Sequence, residues 1–318
     1  MSPEYEASAI LLRRAALQHG LAGQAALEGE FVPRAKVFLA EARELQLAAH
    51  RADVRGGEVA RLRSDAIDIL IDALFLRAGS AAATLSLVAT GGYGRAELCP
   101  LSDIDLLVLV PRHSAATKAL VEAILYPLWD LGLKVGQSVR TVTESTNYAK
   151  DDLHLHVALL ETRHLCGSPE LFAQLEAKTA ALLSGQAWKP FARAIVESQR
   201  KRREKAGGSA YLQEPDLKNG VGALRDVQGC VWIARTARNG VGPAGLAASG
   251  FLPAVDLQKF EEAKQVLLRL RCELHFQVTR PTEQLSLERQ NTMSAALGFT
   301  GTLTERIGGM MREYFDAA

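Results

Sequence analysis

The residues best suited to chemistry are Asp103 and Asp105. They open an apolar run from Leu106 to Val110 and follow a glycine-rich stretch, Gly91-Gly92-Tyr93-Gly94. Side chains alternate along a strand, so Asp103 and Asp105 are expected on one face and Ile104 on the other, toward the core. Two carboxylates side by side repel each other. A hard divalent cation relieves that repulsion, and Mg²⁺ prefers one or two carboxylates together with substrate phosphates. Glycine reaches backbone conformations that other residues avoid and lets a ligand approach the main chain. The turn before the carboxylates can therefore present N–H groups to phosphate. Ser102 adds a hydroxyl and Arg95 a planar cation nearby. A phosphate cradle and a metal clamp in one local unit suit nucleotidyl transfer, where positioning and charge neutralisation supply most of the catalysis.

A second informative stretch runs from Tyr211 to Arg235. Its first half, with Pro215, Gly220 and Gly222, reads as a shaped loop, and Leu224, Val227, Val231 and Ile233 begin a helix. Lys218, Arg225 and Asp226 stand around the two glycines. Lys offers phosphate a point charge and Arg a planar fork. Asp226 is expected to orient Arg225 or to reach a metal or a ribose. The basic run Arg200 to Lys205 reads as a solvated helix end placed favourably for the helix dipole, with a phosphate- or partner-binding role as the alternative.

These residues need elements to position them. Residues 1–82 read as an N-terminal helical region, with Phe38, Ala42, Leu45 and Ala49 on one stripe and Leu62, Ala66, Ile69, Leu70 and Leu74 on another. Gly56-Gly57 is expected to break the pattern between them. Residues 83–165 read as a small mixed α/β core: strand, glycine turn, strand, a helix over 115–131 ended by Gly132, and a third strand over 133–141. That third strand contains no carboxylate; Ser138 and Arg140 are its polar candidates. The GGYG turn does not match G-x-G-x-x-G, which argues against a dinucleotide-binding fold. Asp151, Asp152 or Glu161 could fold back toward the site, and Asp152 suits a helix N-cap equally well. Glu161 and Arg163 could join the site or pair with each other. His154 and His156 fall on different faces of a helix and read as surface or core residues rather than metal ligands. Residues 166–318 read as a helical domain that includes the 215–228 loop. Ser168 and Pro169 restart the chain as N-cap and first helical residue, and a long helix over 254–279 ends before Pro281. The fold class is α+β, a mixed sheet with helices, flanked by N-terminal helices and a C-terminal helical domain.

The chain has 318 residues, 48% hydrophobic and 23% charged, the balance of a globular protein, and this length accommodates two domains or one large one. A net charge of +1 provides no global field toward nucleic acid or an anionic membrane, so neither is expected as a partner. Cys99, Cys166, Cys230 and Cys272 form no C-x-x-C pair and read as scattered reduced thiols, which suits a cytoplasmic location. No apolar run approaches the ~20 residues of a membrane span, and the first residues lack the order of a signal peptide.

GGYGRAEL (91–98) and SDIDLLVL (102–109) resemble the nucleotidyltransferase-fold signature, and in detail the amino-terminal domain of the bacterial protein-PII uridylyltransferases. DLKNGVGALRDVQ (216–228) resembles the D-L-K-x-G-x-G-G-L-R-D-x-Q segment of the same family, with Ala223 where the family usually has glycine. LSLERQNTMSAALGF (285–299) and IGGMMREYFDAA (307–318) resemble the helical region that follows. The resemblance implies transfer of UMP from UTP to a tyrosine of the PII signalling protein, with release of pyrophosphate. It implies Mg²⁺ on Asp103 and Asp105, phosphates cradled by Gly91, Gly92 and Ser102, and charge neutralised by Arg95, Lys218 and Arg225, with Gly220, Gly222 and Asp226 completing the nucleotide loop. Many enzymes of this fold carry a third carboxylate on the third strand. Its lack here favours one Mg²⁺ over two. The family's hydrolase domain carries a His-Asp doublet; none of the seven histidines here precedes an aspartate, so the chain is expected to be the transferase part alone, without hydrolase or ligand-sensing domains. The alternatives are another nucleotidyltransferase of the same fold and an idle nucleotide-binding regulator.

Overall fold

The computed structural model describes residues 1–237 and 253–318; the helical reading of residues 240–252 lies outside them. The described residues form two units, one of residues 1–49 and 60–182 and the other of residues 50–59 and 183–318.

The first unit is built on a four-stranded sheet. Its strands are β1 (Ser86–Ala89), β2 (Ile104–Leu109), β3 (Val135–Arg140) and β4 (Arg163–Gly167), in spatial order β3-β2-β1-β4. β1 runs antiparallel to both β2 and β4, whereas β2 and β3 are parallel. Alternation along the strands gives the sheet two apolar faces. Leu87, Ala89, Ile104, Leu106 and Val108 belong to one core, and Val88, Leu107 and Leu109 to the other. The first core is filled by α1 (Pro3–Gln18), α2 (Phe31–Arg51), α3 (Gly56–Arg77) and α5 (Ala115–Asp130), through side chains such as Leu12, Phe38, Leu70 and Ile124. Between β1 and β2 the chain makes a single helical turn, α4 (Gly91–Gly94). The second core takes Val142 and Ala149 of α6 (Val142–Asp151), Leu159 of α7 (Leu153–Leu160) and Leu175 of α8 (Pro169–Leu182). The mixed sheet with helices expected from the sequence is present.

Several element ends follow directly from local chemistry. The α5 N-terminus is a capping box of Ser114 and Thr117, and the chain leaves α5 through Gly132 at φ +75°. Asp152 caps α7 by accepting hydrogen bonds from the His154 and Leu155 N–H groups at 2.8 and 3.2 Å. Ser168 accepts from Leu171 N at 3.2 Å and Pro169 opens α8. His156 is buried and His154 exposed, as their spacing predicts; burial lowers the His156 pKa. Gly56-Gly57 differs from expectation. The pair does not separate helices but begins α3. A Cβ on Gly56 would lie 2.3 Å from Arg269 N and 2.5 Å from Gln265 O, so glycine is there for close packing rather than as a breaker.

The second unit is helical among its described residues: α9 (Trp188–Lys205), α10 (Leu224–Ala237), α11 (Ala254–Gln277), α12 (Leu287–Ala296) and α13 (Leu303–Ala317). Two carboxylates are held inside it. Glu273, fully buried, accepts from His50 Nε2 at 2.8 Å and from Arg51, with Gln277 Nε2 at 2.6 Å. Glu283 takes a two-pronged pair from Arg271 at 2.8 and 2.7 Å. Burial alone would raise both pKa values, but these donors outweigh it and bring each down to about 2.

A carboxylate whose folded pKa lies below its unfolded value adds stability above the unfolded value, and that stability is lost as pH falls through the folded one. With an ordinary value of 4.5 and folded values of about 2, the second unit is expected to weaken between those limits. Replacing Glu273 by Gln leaves Arg51 short of its charge partner, and is expected to cost about 3 kcal/mol at neutral pH and to flatten part of the acid-side loss. Denaturant unfolding over a pH series checks both.

Candidate active site

The site forms where β1 ends and β2 begins. Thr90 leaves β1 in extended conformation and donates its N–H to Asp105 O at 3.0 Å, so the turn and the carboxylate strand are joined at their base. Gly91 then takes φ +56°, which glycine adopts freely. The turn closes through Gly94 N to Thr90 O at 2.9 Å and Glu97 N to Gly92 O at 2.8 Å. The first N–H groups of a helical turn have no partner within it, and Thr90 supplies no side-chain cap. The donors around Gly91 and Gly92 are therefore suited to an anion. Ala96 sits at φ +56°, an uncommon conformation for a residue with a Cβ.

Asp105 lies in a slot between two glycines. A Cβ on Gly91 would stand 3.2 Å from Asp105 Oδ2, and one on Gly136 would stand 2.7 Å from Oδ1. Gly136 is placed there by register: it is the β3 residue directly opposite Asp105. Asp103 precedes β2 rather than lying within it, and is exposed, while Ile104 is fully buried as predicted. Lys134 Nζ bridges the two Asp103 oxygens at 2.9 and 3.0 Å. The Ser102 hydroxyl is buried and makes no hydrogen bond among the described residues.

The donors fit a hard divalent cation. Asp103 and Asp105 offer carboxylate oxygens, an ammonium already stands on Asp103, and room is kept beside Asp105 where a methyl group would intrude. No cluster of three or more His, Cys, Asp or Glu suited to a metal occurs among the described residues. Asp151, Asp152 and Glu161 thus add no third ligand. On the face of β3 shared with Asp105 the residues are Gly136, Ser138 and Arg140, none of them acidic.

Arg95 does not point freely at a ligand. Its Nε lies 2.6 Å from Glu97 Oε2 and its Nη1 2.7 Å from Glu161 Oε2, with all three side chains largely buried. Burial works to lower its pKa, and the two carboxylates more than offset that, holding it above the ordinary value. Glu161 touches the turn a second way, because a Cβ on Gly94 would lie 1.7 Å from the Glu161 carbonyl oxygen. Arg163 donates to Asp68 at 2.7 and 3.0 Å and to the Tyr93 carbonyl at 3.3 Å, and Tyr93 OH donates to Asp68 at 2.7 Å. Glu161 and Arg163 therefore grip the turn separately instead of pairing with each other. Lys134, Gly136 and Asp68 escaped the sequence reading. Only the β2–β3 register could have exposed the first two, and nothing local marks Asp68.

In the second unit, the 215–228 loop is pinned along its length. Leu217 N donates to Glu283 O and Leu285 N to Pro215 O, both at 2.9 Å. Gly222, at φ +75°, donates its N–H to Asp226 Oδ2 at 2.8 Å, and a Cβ there would lie 2.1 Å from Ala318 O. A Cβ on Gly220 would meet Asp216 O at 2.5 Å. Asp226 also accepts from Arg202 and from Arg203 Nε at 3.0 Å. Part of the basic run thus holds this loop, while Arg200 forms the expected solvated pairs with Glu197 and Glu204. Arg225 donates to Gln228 Oε1 at 2.8 Å and lies over the Trp232 ring, and Lys218 N donates to Asp216 Oδ1 at 2.8 Å. Ala223 is buried with an ordinary backbone, so this position does not need glycine.

Residues 76–159 match the model of the nucleotidyltransferase domain and residues 190–318 that of GlnD PII-uridylyltransferase. The chain is 37% identical over 233 residues to the bifunctional uridylyltransferase/uridylyl-removing enzyme of Cereibacter sphaeroides, covering 73% of this chain and 25% of that protein. It is 36% identical over 270 residues to the enzyme of the same name from Bordetella avium, covering 84% and 30%, and 35% identical over 258 residues to that of Vibrio atlanticus, covering 80% and 29%. The chain thus spans between 25% and 30% of the length of these relatives. No helix among the described residues is long and apolar enough to cross a membrane.

Gly136→Ala is expected to displace the Asp105 carboxylate and weaken Mn²⁺ binding about tenfold or more, with a stability cost of about 1–3 kcal/mol. Calorimetric titration with Mn²⁺ beside a thermal melt separates the two effects.

Proposed function

We propose, for a chain that carries a nucleotidyltransferase domain joined to a region of the PII-uridylyltransferase family, that it transfers UMP from UTP to a tyrosine of a PII protein. The observation that carries this reading is the Asp105 slot, with Gly91 on one side, Gly136 on the other and Asp103 two residues before it in sequence. Asp103 and Asp105 would hold Mg²⁺, which when bound supplies charge neutralisation for the triphosphate. Backbone N–H groups of Gly91 and Gly92 and the Ser102 hydroxyl cradle phosphate oxygens. The tyrosyl oxygen attacks the α-phosphorus, the bond to the bridging oxygen breaks, and pyrophosphate leaves. The hydroxyl proton passes to a carboxylate of the pair. Arg95 contributes by fixing the turn, since two carboxylates already take its charge. Nucleotide contacts for Lys218, Gly220, Gly222, Arg225 and Asp226 rest on the resemblance of their loop to the family segment. A cytoplasmic location agrees with the four free cysteines.

One observation favours a second reading. The face of β3 beside Asp105 has no carboxylate, which suits an idle nucleotide-binding regulator as well as a one-metal transferase. Intact-mass analysis of PII protein, after incubation with this chain, Mg²⁺ and each nucleoside triphosphate in turn, decides. A UMP-sized gain with UTP alone is expected. An AMP-sized gain keeps the chemistry and overturns the substrate, and no gain despite nucleotide binding favours the regulator. Asp103→Asn and Asp105→Asn are each expected to slow transfer at least about a hundredfold with little change in thermal stability; full activity in both contradicts the reading.

A further inference from the structure

Lys134 stands immediately before β3, and its carbonyl accepts from Ile104 N at 2.9 Å. Continuing the β2–β3 register backward from Ile104 opposite Val135 sets Lys134 beside Asp103, on the same face as Gly136 and Asp105. Its ammonium straddles both Asp103 oxygens at 2.9 and 3.0 Å, the position a hard cation would take on that carboxylate. The pair is well solvated, with the side chains 73% and 46% exposed. Exposed pairs of this kind add little to stability, so folding does not account for the placement.

We infer that Lys134 is the second cation of the reaction centre. This rests on the nucleotidyl-transfer reading. Before substrate arrives, the ammonium neutralises Asp103. With a divalent ion on that carboxylate, the Lys134 ammonium would move off Asp103 and stay tethered one strand away by its flexible four-carbon stem. Three rotatable N–H donors then face the triphosphate, where negative charge gathers as pyrophosphate leaves. No acidic side chain on this face of β3 would hold another metal, so a tethered ammonium provides the extra positive charge instead. Lys134 is thereby a competitor of the metal in the free protein and a partner of the phosphates in the loaded one.

The two roles have opposite signatures. Lys134→Met, made in the full chain, is expected to bind Mn²⁺ more tightly than the parent without nucleotide, and to lower kcat for transfer from UTP to PII by about tenfold or more. Lys134→Arg keeps the charge and is expected to recover most of the kcat. Unchanged Mn²⁺ affinity in Lys134→Met overturns the proposal, and so does unchanged kcat. Asp103→Asn separates this from failure of the underlying reading: if Mn²⁺ binding and transfer both survive that change, the metal centre itself is misplaced, whatever Lys134 does.

Discussion

The arrangement depends on one constraint of space. The Asp105 carboxylate sits at the head of β2 between two residues without side chains: a Cβ on Gly136 would lie 2.7 Å from it, and one on Gly91 would press on it at 3.2 Å. Gly91 is brought there by the antiparallel pairing of β1 with β2, which sets Thr90 beside Asp105, and Gly136 by the parallel pairing of β2 with β3. A one-residue slip of β3 would put Val135 or Gln137 opposite Asp105, and it would also turn the half-buried Val135 and Val139 away from the core they pack against. The apolar pattern that packs the sheet thus also keeps the carboxylate slot open.

A glycine-rich turn is soft by itself, and the protein stiffens it from outside. Arg95 is caught between Glu97 and Glu161, and the Glu161 carbonyl lies against Gly94. Arg163 and Asp68 grip Tyr93 at its carbonyl and hydroxyl. The holding groups come from α3, from the first residue of β4 and from Glu161 just before it, so the turn is fixed by elements on both sides of it in sequence. Preorganised N–H groups are worth more in a reaction than mobile ones, since no reorganisation is needed as charge develops. The second unit uses the same device, with Asp226 fastening Gly222 to Arg202 and Arg203.

What could be read in the sequence was local. The glycine turn, the strand after Asp103, the caps at Ser168 and Asp152 and the stop at Gly132 are each set by residues within a few positions of one another. What could not be read depends on distant packing. Gly56-Gly57 looks like a breaker in sequence, yet it opens α3 because Gln265 and Arg269 crowd it. Arg95 looks like a phosphate ligand until Glu161 is brought beside it, and Arg202 and Arg203 look solvated until Asp226 is. Lys134 gave no signal, because its meaning arises only when β3 pairs with β2 and the ammonium meets Asp103.

The most direct measurement is a crystal structure of the chain with Mn²⁺ and a UTP analogue that cannot be cleaved, using the anomalous signal to locate the metal. The account predicts one strong peak coordinated by Asp103 and Asp105, the triphosphate against the N–H groups of Gly91 and Gly92, and Lys134 moved from Asp103 onto phosphate. Metal or triphosphate bound away from the slot between Gly91 and Gly136 would contradict it.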